Sequence, residues 1–249
     1  MINNLNIYYL NLNRSKNRDI FMKNQFSKLG IIATRIEAVD GQELDQKYIN
    51  NIINKLKLNN EHYTLPNKGE IGLFLTHKKL WKIISEQDND FALILEDDLK
   101  IHSQLLNDLC DILKLLNNDE ILKISMKKGF LPLKKRVLNN VKITKYLTPT
   151  FGTYCMIISK NSAKKLLNQF HDYCVPLDNL YQQVYKHKID IWISSNKKYI
   201  SLADNNLGGS TIQKTKKITF KDKLKKEFFR PIYRLKTHIL NLFYTLFKI

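Results

Sequence analysis

Three consecutive acidic residues, Glu96, Asp97 and Asp98, directly follow the apolar run of residues 91–95. Adjacent carboxylates repel one another, so such a cluster is costly unless water or a cation neutralises it. Carboxylate oxygens are ligands that Mg²⁺ and Mn²⁺ prefer, and such a cation completes its shell with phosphate oxygens and stabilises a departing diphosphate. Side chains alternate along an extended segment, which directs Glu96 and Asp98 to the same side. We therefore predict a metal site at Glu96 and Asp98; a solvated turn that caps the next helix is the alternative.

The apolar run before the acidic residues has the composition of a strand that is buried on both faces. Further strands are predicted at residues 6–12, 31–41, 121–126, 153–160, 189–195 and 197–204. Helices are predicted at 16–29, 69–87, 104–116 and 161–170, with a small helix and a loop in 42–68 and a basic connection at 127–140. This alternation predicts an α/β fold with a mainly parallel central sheet, in which ligands bind at the carboxyl ends of the strands.

The formal net charge of +18 over 249 residues indicates an anionic partner. Residues 214–249 hold eleven Lys or Arg and two acids, so about half of the excess lies in this segment. Apolar and aromatic residues recur there at near-helical spacing, and Pro231 can open or kink the helix. We predict an α/β domain over 1–213 and a basic amphipathic helical tail over 214–249 that associates with an anionic membrane surface. A helix docked on its own domain is the alternative.

The cysteines and the amino terminus favour a cytoplasmic protein. Cys110, Cys155 and Cys174 are odd in number and lack a C-x-x-C spacing, which is typical of reduced thiols. The first residues have no basic region before their apolar part, so no signal peptide is expected, and no apolar run reaches the length of a membrane span. No nucleic-acid-binding motif accompanies the positive charge, so we expect no nucleic-acid partner.

Several segments, in order, resemble the family 25 glycosyltransferases of lipopolysaccharide biosynthesis. They are "YLNLNRSKNRDIFMKNQFSKLG", "RIEAVDG", "KGEIGLFLTHKKLWKII", "FALILEDDLKI", "FGTYCMIISKNSAKKLL" and "VPLDNL", and they fall within roughly residues 6–212. The resemblance implies a GT-A-like nucleotide-sugar-binding fold and transfer of a hexose, often galactose from UDP-galactose, to a lipid-linked oligosaccharide with inversion. A protein peripheral on the cytoplasmic face of the inner membrane is then expected.

The acidic residues differ from the general GT-A pattern that the resemblance implies. The chain has E-D-D where that pattern is D-x-D, so Glu96 and Asp98 become the outer pair and Asp98 the main contact to Mn²⁺ or Mg²⁺, with Asp97 on the donor side. A basic nucleic-acid- or membrane-binding protein without transferase activity is the alternative function.

Further donor contacts are expected after the first strand and on the helix of residues 69–87. Arg14 and Arg18 are four residues apart and could bind a diphosphate, although a pair of solvated helix arginines is the alternative. Asn11 or Asn13 could contact the base or ribose. Glu70 and His77 match the family's "GE-I-G" and "H" positions, although a histidine on an apolar helix face is often a core residue.

An inverting transfer needs a base that takes the proton of the acceptor hydroxyl. Asp178, in "VPLDNL", is the candidate, and a helix N-cap is its alternative role. Asp204 is the second choice. The segment "GGSTI" could line the donor phosphates through backbone N–H groups or form a plain turn.

Overall fold

The computed structural model describes residues 5–58, 66–203 and 220–247. Its strands are β1 (Leu5–Leu12), β2 (Thr34–Ala38), β3 (Phe91–Glu96), β4 (Leu99–Ile101), β5 (Glu120–Ile124), β6 (Phe130–Leu138), β7 (Val141–Thr148), β8 (Cys155–Ser159), β9 (Asp190–Ser194) and β10 (Ile200–Leu202). Its helices are α1 (Lys16–Leu29), α2 (Gln46–Leu58), α3 (Lys68–Glu86), α4 (Ser103–Lys114), α5 (Lys160–Gln169), α6 (Leu177–Gln182), α7 (Val184–His187) and α8 (Phe220–Phe247).

The described strands form a mixed sheet, so the predicted mainly parallel arrangement is confirmed only in part. Eight of them follow the order β2-β1-β3-β8-β5-β9-β7-β6, while β4 and β10 form a separate pair. β1 is parallel to β2 and β3, and β5 is parallel to β9. β8 is antiparallel to β3 and β5, and β7 is antiparallel to β6 and β9. The carboxyl ends of β2, β1 and β3 therefore lie together at one edge, beside the acidic residues.

Helices cover both faces of the sheet and give the domain three layers. One hydrophobic cluster joins α2, α3, α5 and α6 to one face, and a second joins α1 and α4 to the other. Along β3, Ala92 and Ile94 belong to the first cluster, whereas Phe91, Leu93 and Leu95 belong to the second. Because successive side chains of a strand point to opposite faces, both faces of β3 are buried, as its apolar composition predicted.

Residues 127–140 were predicted as a basic connection, and this prediction is wrong. They contain β6, which forms an antiparallel hairpin with β7 and has an irregular register between Pro132 and Lys134. β6 lies at the end of the strand order and most of its side chains are exposed. An edge strand of this kind tolerates lysine and proline, because one side of it pairs with no neighbour.

Helix α8 runs through Pro231 and packs on the α/β domain. Asn241 is buried, and its side-chain amide donates to the backbone oxygens of Leu147 and Gln182, each at 2.9 Å. The docked arrangement that the sequence left as the alternative is therefore present over the described part of the tail. In the ranges described above, no helix is long and apolar enough to cross a membrane.

Candidate active site

A cleft of about 750 Å³, open to solvent, lies at the carboxyl ends of β1, β2 and β3. Its walls come from these strand ends, the first residues of α1, the loop after β2 and the first turns of α3. Five of the predicted site residues line it, namely Arg14, Arg18, Glu96, Asp97 and Asp98. The structure thus brings together the basic residues that follow β1 and the acidic residues that follow β3.

Two glycines let α3 lie directly against the loop after β2. A Cβ atom on Gly41 would be 1.8 Å from the carbonyl oxygen of Lys68, and one on Gly72 would be 2.6 Å from that of Val39. Both distances are far below van der Waals contact. Any side chain at these positions would push α3 away from the loop and change the shape of the cleft.

Glu70 has a structural role at the start of α3. Its carboxylate accepts a hydrogen bond from the backbone N–H of Asn67 at 2.8 Å, and the Asn67 side chain accepts one from the N–H of Glu70 at 2.9 Å. This reciprocal arrangement is a capping box. Glu70 is absent from the cleft lining, although its neighbour Gly69 belongs to it. The predicted donor contact of Glu70 stays a prediction, and the capping role alone accounts for a glutamate there.

Asp97, in the middle of the acidic residues, is held by Asn11 and Arg18. Nδ2 of Asn11 donates to Oδ2 of Asp97 at 2.8 Å, and Nη1 of Arg18 donates to Oδ1 at 2.7 Å. All three side chains are buried. The amide oxygen of Asn11 accepts two hydrogen bonds from Arg35. These contacts join the ends of β1 and β3 to α1, so Asn11 and Arg18 fix Asp97, which forms the floor of the cleft; the predicted donor contacts of Asn11 and Asp97 stay predictions.

Glu96 points toward the segment that precedes β8. Its Oε1 accepts a hydrogen bond from the hydroxyl of Thr153 at 2.5 Å. Burial, and then the negative charge of Asp98, raise the pKa of Glu96 to about 8, although the residue is partly exposed at the cleft. A carboxylate that loses water and gains acidic neighbours holds its proton more tightly. A bound cation would oppose both effects and keep Glu96 ionised.

Asp98 carries the clearest sign of a missing ligand. Its Oδ1 is buried and has no hydrogen-bond partner among the described residues, while Oδ2 lies 3.7 Å from Nη2 of Arg18. Burial raises the pKa of Asp98, and the charge of Arg18 partly opposes this. Buried polar atoms are nearly always paired, so Oδ1 fits the position of an oxygen ligand to a hard cation, with Glu96 as the second acid.

The described residues do not by themselves complete the ligand shell of a cation. Within residues 5–58, 66–203 and 220–247, no three His, Cys, Asp or Glu side chains are grouped as a metal centre. Mg²⁺ in particular is often held by one or two carboxylates and the phosphates of its substrate. The donor set of Glu96 and Asp98 fits that manner of binding.

The segment of residues 149–153, just before β8, is fixed by four hydrogen bonds to polar side chains of three elements, β3, β5 and α6. Their contacts are Lys123 Nζ to Thr150 O at 2.6 Å, Gly152 N to Asp178 Oδ1 at 2.9 Å, Gln182 Nε2 to Pro149 O at 2.8 Å, and Thr153 Oγ1 to Glu96. Asp178 lies in the first turn of α6, where Pro176 rather than Asp178 holds the N-cap position. The backbone N–H of Gly152 therefore orients the carboxylate of Asp178, the predicted base. The negative charge of Asp178 is also one of the causes that raise the pKa of Glu96, which lines the cleft.

Lys123 is a further candidate site residue, and it was not predicted from the sequence. It is about 1% exposed, and its ammonium group lies 5.7 Å from the centre of the Tyr181 ring. Burial lowers the pKa of Lys123 to about 8, against the opposing charges of Asp178 and Glu96. It provides positive charge beside both carboxylates. Its signal in the sequence is a lysine within the apolar strand "EILKI", where a charged residue needs a partner.

His77 lies in the core and is absent from the cleft lining. Its ring packs against Trp81 and Tyr181, with centroids 6.4 Å away in each case. Neither ring nitrogen has a hydrogen-bond partner among the described residues, and burial, aided by Lys123, lowers the pKa of His77 to about 3. The histidine is therefore neutral at pH 7, and the arrangement agrees with the core alternative; its predicted donor contact stays a prediction.

Arg14 lies at the rim of the cleft, where its side chain is about half exposed and forms an ion pair with Asp40. Burial opposes ionisation of Asp40, but the hydrogen bonds from Arg14 and from the backbone N–H of Gln42, with the charge of Arg14, together outweigh it and lower the pKa of Asp40. Asp40, in the segment "RIEAVDG", was not predicted as a site residue, although it lines the cleft. Asp204 and the "GGSTI" segment lie outside the described residues.

Comparisons with known proteins show what this chain is similar to. The model of glycosyltransferase family 25 (LPS biosynthesis protein) matches residues 4–181. Procollagen galactosyltransferase 2 of Homo sapiens is 27% identical over 196 residues, which are 74% of this chain and 31% of that protein. A glycosyltransferase 25 family member of Aedes aegypti is 26% identical over 196 residues, 76% of this chain and 32% of that protein. One of Drosophila pseudoobscura pseudoobscura is 32% identical over 97 residues, 38% of this chain and 16% of that protein.

The matched part of the chain thus spans less than a third of the length of each of these relatives. The family match nevertheless includes the cleft from the end of β1 to the first turn of α6. The candidate site and the family assignment therefore rest on the same residues.

Proposed function

The chain belongs to glycosyltransferase family 25, and we propose that it transfers a hexose, galactose, from a UDP-sugar to a lipopolysaccharide or lipooligosaccharide acceptor with inversion. The observation that carries this proposal is the open cleft, into which two acidic residues, Glu96 and Asp98, face beside the basic rim residue Arg14. Nucleotide sugars join a diphosphate to a polar ring, and such a cleft offers cation-binding oxygens and a guanidinium group for the diphosphate. The fold is proposed to be GT-A-like.

Glu96 and Asp98 would hold Mn²⁺ or Mg²⁺, and the unpartnered Oδ1 of Asp98 supports this assignment. When bound, the cation neutralises charge on the leaving diphosphate. Arg14 is exposed enough to turn from Asp40 to a phosphate. Arg18 is buried against Asp97 and keeps the floor of the cleft in place.

Asp178 is the proposed base. Its Oδ1 is held by the amide of Gly152, which fixes the orientation of the carboxylate. As the acceptor oxygen bonds to the anomeric carbon and UDP leaves, the proton of the acceptor hydroxyl passes to Asp178. Lys123 is buried beside this carboxylate, and its charge interacts with that of Asp178.

The acceptor is the least constrained part of the proposal. The family description refers to LPS biosynthesis, whereas the human relative is named for procollagen. The strong positive charge of the chain favours an acceptor on an anionic surface. A lipid-linked oligosaccharide at the cytoplasmic face of the inner membrane fits that requirement.

The test begins with thermal melting in the presence of Mn²⁺ and a panel of nucleotide sugars, because a ligand that binds the folded state raises its melting temperature. UDP-hexoses should stabilise the protein, and UDP-galactose should support transfer to a truncated acceptor. Asp98→Asn should lower transfer by at least about 100-fold and remove the dependence on Mn²⁺. Asp88→Asn, on an exposed residue outside the cleft, is the matched control.

Two results would contradict the proposal. Equal transfer and metal dependence in Asp98→Asn and wild type would exclude the metal assignment. If no nucleotide sugar raises the melting temperature, the alternative of a membrane-binding protein without transferase activity would be favoured.

A further inference from the structure

Helix α8 docks on the domain with the polar side of its surface. Thr237 and Asn241 are buried, and Tyr233 on the same side accepts a hydrogen bond from Gln183. The amide of Asn241 donates to three acceptors, one of them the hydroxyl of Thr148 at 3.1 Å, and its oxygen accepts from the N–H of Tyr185 at 3.1 Å. These contacts fix the rotation of the helix about its own axis.

The apolar side of α8 consequently faces away from the domain. We call it the outer stripe, and its members, which are between 41% and 67% exposed, are Phe228, Ile232, Leu235, Ile239, Leu242 and Leu246. At 3.6 residues per turn these positions lie roughly opposite Thr237 and Asn241. The amphipathic pattern is thus inverted relative to a helix that buries its apolar stripe in its own core.

Strand β6 extends the same apolar surface. Phe130 stacks on His238 with ring centroids 4.1 Å apart, and His238 lies one turn from both Leu235 and Leu242 of the outer stripe. Phe130 and its neighbour Leu131 are each about half exposed. A surface made of two separate elements, a helix and a sheet edge, is larger than the scattered apolar residues of an ordinary protein surface.

The charge around this surface indicates what covers it. Arg234 and Lys236 on α8 and Lys134 and Lys135 on β6 are all exposed, whereas Glu227 is the one acid of α8 whose side chain is described. The whole chain carries +18, so a second copy would bring like charge to the interface. An anionic bilayer matches both the apolar character and the positive charge of this surface, because its interior accepts the apolar side chains and its headgroups attract the lysines and arginines.

We propose that the outer stripe and the start of β6 form a rigid docking surface for an anionic lipid bilayer. The position of α8 also connects this surface to the acceptor side of the candidate site. Asn241 holds Gln182 of α6, the helix that carries Asp178, and Arg234 lies over the ring of Phe151, next to Gly152. This link rests on the proposed function, since it gives a lipid-linked acceptor a fixed approach to Asp178.

The experiment is co-sedimentation of the full chain with vesicles of phosphatidylethanolamine and phosphatidylglycerol, and with phosphatidylcholine vesicles. Wild type should bind the anionic vesicles and lose binding as salt is raised. The triple variant Ile232→Ser, Leu235→Ser, Ile239→Ser should bind them at least tenfold more weakly. The double variant Ile20→Ser, Ile32→Ser is the matched control, because it removes two exposed apolar side chains from other parts of the surface and should bind like wild type.

Thermal melts test whether each variant is folded. If the triple variant is unstable, the double variant Leu242→Ser, Leu246→Ser replaces it as the outer-stripe variant. Equal binding by wild type and both stripe variants would overturn the proposal. The proposal would also be overturned if wild type formed a dimer that did not bind vesicles and the stripe variants were monomeric, because a second copy would then be the occupant.

Transfer to a soluble acceptor should be unchanged in the stripe variants. A protein that binds vesicles but transfers no sugar would contradict the proposed function and leave the docking surface intact.

Discussion

Replacement of Lys123 by methionine, which has a similar length and no charge, tests the buried polar cluster beside the cleft. The change removes the hydrogen bond of 2.6 Å to Thr150 O and the positive charge near Glu96 and Asp178. An unpaired buried carbonyl costs about 1–3 kcal/mol, and the cost is larger where a buried charged group also loses a nearby opposite charge. Glu96 adds little to this cost near pH 7, because with a pKa of about 8 it is already mostly protonated there. We therefore expect the free energy of unfolding to fall by about 3 kcal/mol.

Urea unfolding followed by circular dichroism measures this change, with an unchanged slope of free energy against denaturant. The melting temperature should fall by roughly 6–12 °C for a chain of this size. Lys145→Met is the matched control, because Lys145 also pairs with an acid, Asp190 at 2.5 Å, but is more exposed; its loss should cost about 1 kcal/mol or less. Similar small losses in both variants would refute the view that Lys123 compensates buried carboxylates.

Two further predictions concern the acidic residues and the docked helix. In metal-free protein the contribution of Glu96 to stability should decrease as pH rises from about 4.5 to about 8, because the folded state keeps a proton that the unfolded state has released. Glu96→Gln should flatten the dependence of the free energy of unfolding on pH. At pH 7 it should stabilise the protein by about 1–3 kcal/mol, a range that allows for the partial exposure of Glu96. A pH dependence identical to that of wild type would contradict the raised pKa. Asn241→Ala should destabilise the chain by about 2–4 kcal/mol, because it removes the hydrogen bonds of Asn241 to two backbone oxygens and from the N–H of Tyr185, and Asn196→Ala, at a half-buried turn, is the control. Protease accessibility of α8 checks the same variant, and an α8 as resistant as in wild type would mean that Asn241 does not hold it.

The sequence was sufficient to locate the cleft, because its signals are local. A buried strand that ends in acids, and a strand followed by Arg14 and Arg18, both reveal their positions through composition alone. The α/β alternation then placed these ends at one edge of the sheet.

Contacts between distant residues could not be predicted in the same way. Arg18 is 79 residues from Asp97 in the chain, and their ion pair exists only because β1 and β3 are neighbours. Sequence periodicity gives no strand order, so the ion pair between Arg18 and Asp97 was not predicted, and the predicted diphosphate contact of Arg18 stays a prediction. The edge strand β6 was missed because its exposed lysines conceal the alternation that identifies a half-buried strand.

The outward-facing stripe of α8 has a practical consequence for work with the purified protein. Sulfate and similar salts strengthen the association of apolar surfaces, whereas any salt weakens attraction between lysines and anions. Raising the ionic strength should thus weaken adsorption of the protein on acidic materials but promote its self-association through the outer stripe. A moderate salt concentration, or a mild detergent that shields the helix, should keep the sample monodisperse.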